Sequence, residues 1–139
     1  MENNNTFAEH ILKMAKTILL VDWPSVDVPR TLLKAGFRIY SYSPGQYSEA
    51  VLGGDNNNVT FNDIESTPGE VDIVNIFRPE QEHAEIIEMH ALPLKANVIW
   101  LHPPVVSTKT GELSKEHGLA FIEGVDIAEI AMQLKSDKL

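Results

Sequence analysis

The sequence predicts an α/β fold: a mainly parallel sheet of about five strands with helices on both faces, in three layers. Three observations carry this. Continuous apolar runs such as Ile18-Leu19-Leu20-Val21 suit strands buried on both faces of a parallel sheet. Helix-length segments with helical apolar spacing separate these runs, so successive strands join through right-handed crossovers. No hairpin signal of the Asn-Gly type stands between them.

The elements follow in order. Thr6 with Glu9 forms a capping box, and a short helix runs to Lys16 with Phe7, Ile11 and Met14 on one face. Thr17–Val21 is the first strand, broken by Asp22-Trp23-Pro24-Ser25. Pro29 stands near the start of the next helix, which ends at Gly36, a residue suited to the left-handed conformation past a helix C-terminus. Residues 37–42 alternate with period two and are rich in strand formers, and Ser43-Pro44-Gly45 stops them. Residues 46–69 read as the irregular part, with a loop over 53–58 and a short edge strand at Val59-Thr60-Phe61. Val71–Phe77 is the next strand. Pro79 opens a helix whose early acids, Glu80 and Glu82, suit the helix dipole. Asn97–Leu101 is a strand stopped by Pro103-Pro104. A helix over 112–117, a strand over 119–123 and a helix with Ile127, Ile130, Ala131 and Leu134 on one stripe complete a Rossmann-like, doubly wound order.

Composition narrows the function. The chain has 139 residues, with 11 Lys+Arg against 20 Asp+Glu and a formal net charge of −9. The length suits one domain over 1–139, residues 1–16 being an N-terminal extension with a short helix. Net acidity argues against nucleic acid and anionic membrane as partners, since both attract clustered Lys and Arg. With no cysteine, a disulfide framework and a thiolate zinc site are excluded. The first 16 residues hold no apolar run long enough for a signal peptide, and no later run can span a bilayer, so a cytoplasmic location is expected.

In an open parallel sheet, ligands bind beyond the carboxyl ends of the strands, where strand order reverses. The candidate positions are therefore Asp22, Trp23, Pro24 and Ser25; Ser43 and Pro44; Phe77, Arg78 and Pro79; and His102. NAD(P) is disfavoured. No Gly-x-Gly-x-x-Gly follows any strand, and Tyr42-Ser43-Pro44 stands where an acid would hold the ribose. No Walker A lysine motif is found either.

Leu33–Ile39, then Ser43-Pro44, then Val71–Glu80 with its Phe-Arg-Pro, then Val98-Ile99-Trp100-Leu101, resembles the stand-alone CoA-binding domain proteins. These are Rossmann-like and similar to the N-terminal domain of the succinyl-CoA synthetase alpha subunit. The likeness runs in order over 16–134 and implies coenzyme A, or a similar adenine nucleotide, across the strand ends. On this resemblance the family's first glycine-containing loop corresponds to Asp22–Ser25 and its Asn-Pro to Ser43-Pro44. Its Phe-Arg-Pro corresponds to Phe77-Arg78-Pro79, and the polar residue after its Trp strand to His102. The chain departs from the pattern at Asp22, which replaces a glycine, and at Pro103-Pro104. It departs again at Glu123-Gly124-Val125, where the family commonly has Arg-Cys.

Each candidate carries a plain structural alternative. Arg78 can grip a phosphate bidentately or pair with Glu80 or Glu82. Asp22 can bind a ribose or amide, or cap its strand. Trp23 can stack on adenine or seal the sheet edge. Ser25 and Ser43 can donate to phosphate or turn the backbone. His102 can touch a ligand, but no base or nucleophile partners it in sequence. His83 and His90 read as a solvated helix face together with Glu80, Glu82, Glu85 and Glu88, because a metal pair needs i, i+3 or i, i+4 spacing. His10 and His117 read as incidental, and Trp100 as core. The expected function is a non-catalytic CoA- or nucleotide-binding module, with no catalytic residue and no metal site. The alternatives are a degenerate fold acting through protein contacts and a small nucleotide-dependent enzyme. A homo-oligomer or protein partner remains open.

Overall fold

The computed structural model describes residues 4–43 and 45–137. Its elements are α1 (Asn4–Met14), β1 (Thr17–Val21), α2 (Asp27–Lys34), β2 (Arg38–Tyr42), β3 (Tyr47–Leu52), β4 (Val59–Asp63) and β5 (Ile73–Ile76). A 3-10 turn (Glu80–Glu82), α3 (His83–Ile86) and a π turn (Ile87–Ala91) follow as one continuous helical segment. The chain then forms β6 (Val98–Leu101), α4 (Thr108–Glu116), β7 (Ala120–Ile122) and α5 (Ile127–Asp137).

One sheet runs in the order β4-β3-β2-β1-β5-β6-β7. Strands β2, β1, β5, β6 and β7 are parallel, with Leu19 opposite Tyr40 on one side and Val74 on the other. The unbroken apolar run in β1 has a simple cause. Ile18 and Leu20 face a core built from α1, α2 and α5, whereas Leu19 and Val21 face the opposite core beneath α3, the π turn and α4. Successive side chains point to opposite faces, so a strand covered on both sides has no polar position to spare. Three layers result, as expected. Helix α2 ends in a Schellman motif at Gly36 (φ +99°), with Phe37 N–H donating to Leu32 O at 3.2 Å and Gly36 N–H to Leu33 O at 3.0 Å.

Three expectations need correction. The segment 46–69 holds two strands: β3 and β4 form an antiparallel hairpin appended to β2, so a hairpin exists without an Asn-Gly turn. Its turn is held by Asp55, whose carboxylate accepts from the N–H groups of Asn57 (3.0 Å) and Asn58 (3.1 Å). Strand β4 was legible only in part because its far side is solvated. It is polar, as an outer edge strand should be. The second correction concerns α4, which starts at Thr108 rather than near Glu112. The Ser107 hydroxyl caps it by accepting from Thr110 N–H at 3.0 Å. Third, α1 begins at Asn4, ahead of the expected Thr6 cap. Among the described residues, no helix is long and apolar enough to cross a membrane.

Candidate functional site

Strand order reverses at β1, which lies between β2 and β5. The connection after β1 leads to α2 on one face and the connection after β5 leads to α3 on the other, so the two loops part and open a crevice. A cleft of about 330 Å³ lies there, walled by the ends of β1, β2 and β5 and by the helical segment after β5. Of the residues singled out in the sequence, it brings together Asp22, Ser43 and Arg78.

Arg78 is the hub. Its Nε donates to Glu82 Oε1 at 3.0 Å and its Nη2 to Glu82 Oε2 at 2.8 Å, a two-point fork. Its Nη1 donates to Asp22 Oδ2 at 3.0 Å, across 56 positions of sequence. All three side chains are a little over one-third exposed, so solvent screens the pairs and their worth is modest. The two carboxylates push the guanidinium further above its ordinary range. Hydrogen bonding from Arg78 holds Glu82 below the usual carboxylate range. The sequence alternative of an ion pair with Glu82 is thus realised. Glu80 turns instead to the Ser107 hydroxyl.

Asp22 sits at φ +64°, in the left-handed region where glycine is at ease and an L side chain is not. A short polar side chain tolerates it by bonding locally, and here Asp22 Oδ1 accepts from Trp23 N–H at 3.0 Å. The neighbouring loop residues point elsewhere. Trp23 stacks on Phe61 of β4 with centroids 5.1 Å apart, sealing the hairpin against the sheet. Pro24 and Ser25 are exposed, and the Ser25 hydroxyl accepts from Asp27 N–H at 3.3 Å. Pro79 is exposed at the start of the 3-10 turn. Pro44 lies outside the described residues.

His102 is buried beneath the strand ends rather than facing the cleft. Phe77 meets it edge-on at 5.8 Å, Asn75 Nδ2 lies 3.4 Å from its Nδ1, and Asp126 lies 3.8 Å from its Nε2. Burial pulls its pKa down, against the opposing pull of Asp126.

The reading of His83 and His90 as solvated is corrected, since both are buried. A carbonyl only accepts, so His83 Nε2 carries the hydrogen that bonds Arg78 O at 2.8 Å; Nδ1 takes the Thr110 hydroxyl at 2.7 Å. His83 therefore ties α4 to the backbone of the site's arginine. His90 lines the cleft with Tyr42, whose ring lies 4.1 Å away, and bonds the Tyr47 hydroxyl through Nδ1. Burial lowers the His90 pKa and raises that of Tyr47, so the proton stays on Tyr47, which donates. The misreading has a tertiary cause: the shared face of His83 and His90 is covered by Thr110 of α4 and Tyr47 of β3 instead of water. Tyr42 is a cleft residue that the sequence candidates left out, its one signal being that it ends a strand, while Glu85 and His90, read as a solvated face, also line the cleft.

Solved structures share this architecture. The chain is similar to cell-free ID.343 from Thermus thermophilus at 22% identity and a TM-score of 0.70, over 96% of this chain and 99% of that one. It is similar also to a hypothetical protein from Pyrococcus horikoshii OT3 at 19% identity and a TM-score of 0.68, with 96% and 99% covered. No curated protein matches. The CoA binding domain matches residues 21–125, a span that begins at the end of β1, includes Asp22, Ser43 and Arg78, and closes just before α5. By that match, the chain belongs to the CoA binding domain family.

Proposed function

We propose that the protein is a CoA- or adenine-nucleotide-binding module without catalysis of its own, its ligand held at the carboxyl ends of the parallel strands. The observation that carries this reading is the cleft at the switch point with a guanidinium in its wall, in a chain of this family. The residues fit such a ligand in kind. Arg78 supplies a planar donor for phosphate, Ser43 a hydroxyl, and Tyr42 an aromatic wall for a base or pantetheine arm. At about 330 Å³ the cleft takes part of a CoA molecule, the rest lying along the surface. The absence of catalysis is inferred from the cleft's groups. Its acids are tied to Arg78 or, like Glu85, exposed, and the Nδ1 acceptor of His90 is already occupied by Tyr47.

A second reading, a degenerate fold acting through protein contacts, is favoured by one observation: Arg78 already holds two carboxylates. A thermal-shift titration with CoA, ADP, NAD and NADP, run on the wild type and on Arg78→Ala, separates the two. A ligand at ~100 times its dissociation constant adds ~2.7 kcal/mol of stability. The expected result is a raised melting temperature with CoA or ADP, and its loss in Arg78→Ala. No response to any of the four ligands overturns the binding-module reading and directs the search to a protein partner.

A further inference from the structure

The geometry points to Asp22 as the residue that sets which ligand charge the strand-end cleft accepts: its carboxylate occupies, from within the chain, the place at Arg78 that a ligand phosphate would take. Diphosphate-bearing ligands then enter only by displacing it, whereas neutral ones such as adenosine or pantetheine are indifferent to it. This rests on the proposed use of the cleft as a ligand site.

The two carboxylates on Arg78 are not equivalent. Glu82 lies only four positions on, in the helical segment that follows Arg78, and takes one whole edge of the guanidinium, Nε and Nη2. That pair is local and can persist with a ligand present. Asp22 comes from the end of another strand and takes the remaining Nη1 at 3.0 Å. Nη1 is the group a phosphate seated between the ends of β1 and β5 would need. The backbone supplies an independent observation. Asp22 holds φ +64°, a conformation glycine adopts freely and an L residue adopts at a cost. Its side chain offsets that cost through Trp23 N–H and Arg78, so the contact with Arg78 is part of what keeps the residue there. Charge points the same way. Asp22, Glu82 and Glu85 line the cleft against the single guanidinium of Arg78, and a dianionic group brought to Nη1 meets the Asp22 carboxylate at van der Waals range.

Asp22→Asn tests this with little disturbance, because asparagine has the same shape and also tolerates positive φ. Affinities for inorganic pyrophosphate, CoA and adenosine are measured by calorimetry on the wild type, Asp22→Asn, and Asp22→Asn with Arg78→Ala. The expected result is a gain of about tenfold or more for pyrophosphate in Asp22→Asn, adenosine unchanged, and the gain abolished by Arg78→Ala. Asp22→Gly, which also relieves the backbone, gives the same gain and serves if the asparagine variant folds poorly. Equal pyrophosphate affinity in wild type and variant, or undetectable binding in both, overturns the proposal. So does an equal gain for adenosine, which would mean a general loosening of the cleft. If pyrophosphate gains while CoA binds neither protein, Asp22 has the assigned role and the CoA reading fails. If CoA binds both proteins equally and pyrophosphate gains nothing, the CoA reading stands and the assignment of Asp22 falls.

Discussion

Replacing His83 by alanine removes a side chain only 1% exposed that joins α4 to the strand-end backbone of Arg78. The loss can be assembled from its parts. The Thr110 hydroxyl is buried, and stranding a buried hydroxyl costs about 1–3 kcal/mol. The carbonyl of Arg78 is only partly buried, so water replaces much of that bond and the cost is about 0.5–1 kcal/mol. The space left by the imidazole adds about 1 kcal/mol after relaxation. The sum is about 2.5–5 kcal/mol, a drop in melting temperature of roughly 8–20 °C for a domain of this size. Urea unfolding followed by circular dichroism measures it, with Thr110→Val and the double variant closing a cycle. The two sites share one hydrogen bond, so the double variant should be more stable than the summed single losses predict, by about 1 kcal/mol. A loss below about 1 kcal/mol for His83→Ala, or strict additivity with Thr110→Val, refutes the argument that His83 is a buried clamp.

Three further outcomes follow from the same structure. Burial lowers His90 and His102 below their ordinary value of 6.5, so the unfolded chain binds protons more readily than the folded one. Stability from these residues is complete above 6.5 and drains away as pH falls through their folded pKa values; in a melting series, His90→Gln with His102→Gln should flatten the acid slope, and a wild-type melting temperature that rises on acidification would contradict this. Below 4.5, loss of the Arg78–Glu82 pair steepens the decline, since Glu82 titrates below that value when folded. Gly111→Ala places a Cβ 2.9 Å from Cε2 of Phe121; the overpacking cost of about 1–3 kcal/mol outweighs the gain of about 1 kcal/mol in helix propensity, so the variant melts lower, and adding Phe121→Leu recovers the loss.

What the sequence determined by itself was what near neighbours settle. Ile18-Leu19-Leu20-Val21 had to be a strand covered on both faces, because a period of two leaves it no solvent side. Gly36 had to end a helix, because its φ of +99° suits no other residue as well. With the strands known, their carboxyl ends were known, and the order of motifs from Leu33 to Leu101 pointed to the family. The hairpin β3–β4 was legible only in fragments, since its half-solvated strands take their regularity from pairing, β3 with β2 and β4 with β3, rather than from their own residues. Tertiary structure alone decided which strand ends meet. Nothing in the local chain says that Asp22 and Arg78, 56 positions apart, share a hydrogen bond; the placement of β1 beside β5 does. The buried histidines were misread for a related reason. Their spacing puts them on one face, but what covers that face is Thr110 of α4 and Tyr47 of β3, which only the folded chain brings within reach. Periodicity is a short-range property and survives in the sequence, whereas register and the cover over a helix face are set by contacts between elements and exist only once these have formed.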